Sequence, residues 1–335
     1  MKKILLTLAI ILPTLAGCGK EEVENNPAES VDNPKEYTIS LGFSGEITDI
    51  TESPLNRADG GANTDLYGIQ VYSTSTDSYD YKPYAYGLFN KKESMVIKLV
   101  EGYKYKFVAT MVVDGKEKVY FLGDNRYLNP FSGGAESSEM LLNNVFTLSA
   151  NNEYDNLEIG STYLRNPNKI FHRPNIERYY GETEGYVPSS DGQVSIDMKR
   201  VSFGAKFVAE GLSEGKLTIQ MNESPDMEIV YPETEVQDIF TFSNLSYNGT
   251  TWTNNDYSEE VPVIITWQKN DGASVPVASR NITFKRNKLT TVNVKVTNSS
   301  VDNGIDITTD NEEMQAGDTI VIGASGSEDT GVDVN

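Results

Sequence analysis

The sequence predicts an all-β protein. Three observations carry that expectation. Apolar residues recur at every second position in run after run, aromatic residues are plentiful with 19 Tyr and 12 Phe, and short Gly, Asn and Asp turns punctuate the runs. Outside residues 1–17, no stretch sustains the stripe of an amphipathic helix. At 335 residues the chain is long enough for two domains of ordinary size, each with a sizeable core.

Residues 1–17 hold Lys2 and Lys3, an apolar run from Ile4 to Leu12, and then Leu15-Ala16-Gly17 ahead of Cys18. An apolar core of that length suits a secretory signal peptide and is too short to span a bilayer. Small residues before a lone cysteine resemble a bacterial lipobox, which makes Cys18 the acylated N-terminus of the mature chain and ties it to the outer membrane. Cys18 is the one cysteine in the sequence, so an intramolecular disulfide is ruled out. Gly19-Lys20-Glu21-Glu22 resembles the Lys-plus-acidic export tag of surface lipoproteins. Residues 18–36, polar and carrying Pro27 and Pro34, read as a tether.

The first strand is expected at 37–50, YTISLGFSGEITDI. Tyr37, Ile39, Leu41, Phe43 and Ile47 fall on one face with Gly45 in register, separated mostly by polar or small residues. The segment that follows, SPLNRADGGANTD, has Arg57 as its only Lys or Arg, with Ala58 next. At 66–72, Tyr67, Ile69 and Val71 share a face. Met95, Ile97 and Leu99 repeat the pattern, and Tyr103, Tyr105, Phe107, Ala109 and Met111 run into Asp114-Gly115, a two-residue hairpin signal, with Val119 and Phe121 returning. Residues 140–148 and 155–164 are expected to close the first domain.

Residues 165–193 crowd Asn, Pro, Gly and charges together, and the domain boundary is placed here, with domains at 37–175 and 190–300. The single histidine, His172, lies in this stretch with neither an oriented partner nor further metal ligands nearby in sequence, and reads as structural or surface. The second half starts with Val194, Ile196 and Met198. The alternation then slips by one at Lys199-Arg200, which suggests a bulge or bend, and resumes at Val201, Phe203, Ala205, Phe207 and Ala209. Leu217, Ile219 and Met221 follow. Asn248-Gly249 marks a tight hairpin, and Val261, Val263, Ile265 and Trp267 lead through Asp271-Gly272 to Ile282 and Phe284, then to Val292, Val294 and Val296. About seven strands suffice for a second sandwich.

The tail, 301–335, carries nine acidic residues and no Lys or Arg. Ile305 with Ile307, and Ile320 with Ile322, alternate within it, so each pair is a candidate strand as well as a candidate frayed end. The formal charge of −21 becomes −23 once Lys2 and Lys3 leave with the leader. So acidic a body repels nucleic acid and anionic lipid.

The leader with Cys18, the 37–50 strand, Pro54-Leu55-Asn56-Arg57 before DLYGIQVY, KRVSFGAKF at 199–207 and FKRNKLTTVNVKV at 284–296 together resemble the fimbrillin family of Bacteroidetes, the subunits of type V pili and related surface lipoproteins. The order and spacing of these soft patterns carry the resemblance. It implies two transthyretin-like (Greek-key) β-sandwich domains in tandem and export as a surface lipoprotein. It further implies that an Arg-specific protease cuts after the first strand and that a neighbouring subunit's C-terminal strand fills the groove left behind. On this sequence the cut falls between Arg57 and Ala58, the displaced strand bears Tyr37, Ile39, Leu41, Phe43 and Ile47, and the donor carries Ile305 and Ile307 or Ile320 and Ile322. The partners so implied are other pilus subunits.

Elementary physics is compatible with such an exchange. Removing a strand exposes unpaired backbone and an apolar trough, and a joint between unlike surfaces propagates as an open filament. Enzyme function has no motif behind it: the sequence holds no nucleophile elbow, P-loop or His-based triad, no His/Cys metal spacing, and no cofactor signature. The competing reading is an anchored, monomeric glycan-binding lipoprotein, with Tyr side chains or Trp252 stacking on sugar rings; Trp267 alternates with Val261, Val263 and Ile265 and reads as core.

Overall fold

The computed structural model describes residues 34–47, 64–131, 139–149, 161–243, 254–296 and 311–314. Their regular structure is almost entirely β. The strands are β1 (Glu36–Gly45), β2 (Leu66–Ser75), β3 (Lys82–Phe89), β4 (Val96–Val100), β5 (Tyr103–Val112), β6 (Arg126–Tyr127), β7 (Met140–Leu141), β8 (Thr147–Leu148), β9 (Thr162–Leu164) and β10 (Lys169–Phe171). They continue with β11 (Arg178–Tyr186), β12 (Gly192–Arg200), β13 (Ser202–Glu210), β14 (Lys216–Met221), β15 (Met227–Val230), β16 (Glu235–Thr241), β17 (Ser258–Gln268), β18 (Ser274–Lys285), β19 (Lys288–Lys295) and β20 (Asn311–Glu313).

Eight strands join in the order β4-β1-β12-β11-β5-β2-β3-β8. β1 and β2 stand four places apart, which in a flat sheet would separate them by roughly 19 Å. Yet the rings of Phe43 and Tyr67 stack with centroids 5.4 Å apart. The Tyr84 hydroxyl on β3 likewise donates to the Lys98 carbonyl on β4 at 3.0 Å. The sheet therefore folds back on itself. It does so at β11 and β12, which share only the pairs Tyr179 with Arg200 and Tyr180 with Lys199. Between the two halves lies one core built from alternate residues of β1, β2, β4, β5 and β12, including Ile39, Ile69, Ile97, Phe107 and Ile196.

A second sandwich pairs the sheets β16-β13-β19-β20 and β15-β14-β17-β18. Phe203 of β13 stacks on Phe284 of β18 at 4.5 Å, and Trp267 is buried among them with its indole N–H donated to the Glu214 carbonyl at 2.8 Å. A smaller cluster around Leu66, Val119, Tyr127 and Phe131 covers one end of the first sheet.

Four expectations need correction. The first strand ends at Gly45, not at residue 50: Gly45 adopts φ +81°, a conformation L side chains rarely take, and a turn follows. Asp114-Gly115 closes no hairpin. Asp114 is left-handed (φ 53°) and opens a single helical turn, Gly115–Lys118, after which Val119 bridges to Leu164. Val194, Ile196 and Met198 do not begin the second sandwich, because β12 pairs with β1 in the first. The register slip near Lys199-Arg200 is accordingly neither bulge nor bend within a sheet. It is where the chain crosses from one sandwich to the other, Val201 donating its N–H to the Arg178 carbonyl on the way. Asn248-Gly249 and Trp252 lie outside the described residues, as do Cys18, Arg57, Ala58, Ile305, Ile307, Ile320 and Ile322.

Candidate functional site: the seat of the first strand

β1 has hydrogen-bonded neighbours on both edges. It runs parallel to β12, in register from Ile39 opposite Gly192 to Gly45 opposite Met198, and antiparallel to β4, from Glu36 opposite Val100 to Ser40 opposite Val96. Beyond the β4 ladder, Leu41 N–H reaches the Met95 carbonyl at 2.8 Å. Its period-2 sequence dictates which way each side chain points: Tyr37, Ile39 and Leu41 are buried, while Glu36, Thr38 and Ser40 face out. Phe43 is half-buried against Tyr67, and Ile47, past the strand end, is buried again. At roughly 1.5–3 kcal/mol each, these apolar side chains place ~10 kcal/mol of burial in the seat before ordering costs.

Polar clasps close both ends. At the start, the Tyr37 hydroxyl donates to Glu101 Oε1 at 2.9 Å, Thr38 N–H to Asp191 Oδ1 at 2.8 Å, and Glu101 N–H to the Lys35 carbonyl at 2.8 Å. At the far end, Glu46 N–H donates to the Met198 carbonyl at 2.9 Å. The Glu46 carboxylate then receives three N–H groups: Arg286 Nη1 at 2.8 Å and Nη2 at 3.1 Å, and the Arg200 backbone N–H at 2.7 Å. Arg286, on the turn between β18 and β19, has only 2% of its side chain exposed. Burial alone would raise the Glu46 pKa, but the Arg286 hydrogen bonds and the Arg200 N–H outweigh it and hold the carboxyl below its usual range.

Arg200 extends this network. Its Nη2 pairs with Glu177 at 2.8 Å, Nε donates to the Tyr179 hydroxyl at 2.9 Å, and Nη1 donates to Asn287 Oδ1 at 2.8 Å and the Met314 carbonyl at 3.2 Å. Sequence reasoning missed the whole cluster, since Glu46 reads as one exposed acid among many. The only hint is that Arg200 and Arg286 both fall inside the two motifs singled out above.

Elsewhere, His172 is exposed, and among the described residues no group of three or more His, Cys, Asp or Glu side chains is placed to hold a metal ion. Trp267 is core and offers no ring to a sugar. No described helix is long and apolar enough to cross a membrane.

No family model and no curated protein matches the sequence. The chain is similar to the solved structure of a candidate adhesin from Bacteroides ovatus, at 9% identity and TM-score 0.38 over 87% of this chain and 100% of that one. It is also similar to a candidate cell adhesion protein from Bacteroides uniformis, at 11% identity and TM-score 0.35 over 85% and 99% of the two chains. A third similar structure is the tip fimbrial protein Mfa3 from Porphyromonas gingivalis with C-terminal truncation, at 10% identity and TM-score 0.31 over 83% and 100%. These three structures are described as adhesion or fimbrial proteins of Bacteroides and Porphyromonas.

Proposed function

We propose that the chain is a structural subunit of a type V-like fimbria serving adhesion at the cell surface, built from two tandem transthyretin-like sandwiches. The first sandwich takes the chain up to β12, the second starts at β13, and 301–335 is the tail that carries the donor strand. The precursor is anchored to the outer membrane through lipid on Cys18. An Arg-specific protease cuts between Arg57 and Ala58, the segment bearing β1 leaves, and the tail of a neighbouring subunit, carrying Ile305 and Ile307 or Ile320 and Ile322, takes its place.

One observation carries this reading. β1 is joined to its sheet by ladders on both edges and by side chains sunk into the core, yet it is not paired with β2, the strand that follows it in sequence. Once the link between them is cut, non-covalent contacts alone hold β1. Its departure leaves an apolar trough bordered by two strand edges, which is a template for another strand.

Incubation of the purified chain with an Arg-specific protease tests the proposal. The expected result is a new N-terminus at Ala58, loss of the 37–57 segment, and ladders of oligomers on native gels. A chain that resists cutting, or is cut and stays monomeric while being retained on a polysaccharide column, would overturn it in favour of the anchored glycan binder.

A further inference from the structure

Two of the three N–H groups on Glu46 tie the first-strand segment to Arg286, 240 positions away, and the third ties it to the Arg200 backbone. Arg286 uses all five of its donors: Nε goes to the Asn254 carbonyl, Nη1 to Glu46 and the Arg200 carbonyl, and Nη2 to Glu46 and Asn255 Oδ1. Of these partners only Glu46 carries charge. The next residue, Asn287, is left-handed (φ 56°) and makes two contacts that bear on the tail. Its carbonyl accepts the Met314 N–H at 3.3 Å, and its side chain accepts from Arg200, whose same Nη1 donates to the Met314 carbonyl. β20, just before Met314, is a short edge strand paired to β19 alone among the described residues, with Lys288 opposite Glu313 and Thr290 opposite Asn311.

We propose that Glu46 is a positioning residue that couples the occupied first-strand seat to docking of the C-terminal segment 311–314. While β1 is in place, Glu46 neutralises Arg286, fixes the Arg286-Asn287 turn and the Arg200 backbone, and thereby holds Met314 and β20 on the edge of β19. When the first strand leaves, Glu46 leaves with it. Arg286 is then buried with uncharged partners only, an arrangement that drives a side chain toward water or new partners. The turn that pins Met314 loses its anchor, so one event opens the groove and frees the tail that a neighbour must receive. The biological use of the device rests on the proposed function, whereas the coupling itself can be tested in the uncut chain.

The test is amide hydrogen exchange on the full-length, uncleaved protein and on E46Q, which keeps the shape of the side chain and removes its charge. The expected result is about tenfold faster exchange in peptides covering 311–314 and the 286–288 turn, with the rates of β14 and β17 unchanged. Unchanged exchange at 311–314, or acceleration shared equally by β14 and β17, would overturn the coupling, because Glu46 would then support nothing locally or the fold as a whole. Should E46Q fail to fold, E46D, which draws the carboxylate back by one methylene, is measured with the same expectation. In wild-type protein whose first segment has been removed by the protease, 311–314 is expected to exchange as fast as in E46Q, and slow exchange there would also overturn the proposal. Failure of the protease to cut would overturn the assembly reading and leave the E46Q comparison decisive for the coupling.

Discussion

Ile39 is wholly buried in the first core, and its neighbour Ser40 points to solvent. Truncating Ile39 to Ala removes three carbons from a packed site and is expected to cost about 2–5 kcal/mol, read from denaturant midpoints. Ser40→Ala is expected to stay within about 0.5 kcal/mol of wild type. Glu46 gives a sign for pH. Its folded-state pKa lies below the ordinary carboxylate value of 4.5, so its contribution is present above that value and lost as pH falls through the depressed one. The charged groups facing it are Arg286, whose guanidinium it grips, and Lys199 further off. The stability gap between wild type and E46Q is therefore expected to be full near neutrality and to close in acid, as followed by chemical denaturation at several pH values. Of these two residues the sequence revealed only one. Ile39 announces itself by alternating with Tyr37 and Leu41, whereas the partner of Glu46 lies 240 positions away and leaves no local periodicity.

At the scale of the element, β1 shows what alternation can and cannot specify. Period two marked which residues go inward and placed the strand's start within one residue, at Tyr37 against the observed Glu36, because burial on one face of a pleated ribbon is a local property. It could not reveal the parallel pairing with β12, which brings Leu41 opposite Val194 across the fold. It also overran the end of the strand, since only the positive φ of Gly45 shows that the extended run stops there. The same limit explains Asp114-Gly115, a dipeptide that serves equally a tight hairpin and, as here, entry into a helical turn. β1 is expected to act as an exchangeable piece. A chain beginning at Ala58 should capture a synthetic peptide of residues 35–50, measured by fluorescence anisotropy. The same peptide with Ile39→Asp and Leu41→Asp should not bind, because each carboxylate would enter an apolar trough unpaired.

Across the whole molecule, two sandwiches meet where the chain passes from β12 to β13, and the contact there is charged as well as apolar. Val108, Tyr180 and Val201 pack together beside the Glu177, Arg200 and Arg286 network. The two cores were legible because each is made of alternating strands. Their seam was not, because it is assembled from single residues donated by distant segments, and the sequence boundary fell in the charged stretch before β12 instead of after it. Net charge also acts at this scale. A cut after Arg57 removes nine acidic and five basic residues and takes the formal charge from −21 to −17, so like subunits still repel, and if cut subunits join as proposed, light scattering should show oligomers forming faster as salt is raised from about 10 to 150 mM.

The paired edges of β1 have a mechanical corollary. A pull directed along that strand cannot unzip rungs one at a time, as it would if the load fell across the end of a single ladder. It must shear the rungs to β12 and β4 together while dragging Ile39 and Leu41 out of the core. Any strand seated in that slot inherits the same geometry, so a joint made there, if subunits assemble as proposed, resists load along the strand better than load across it.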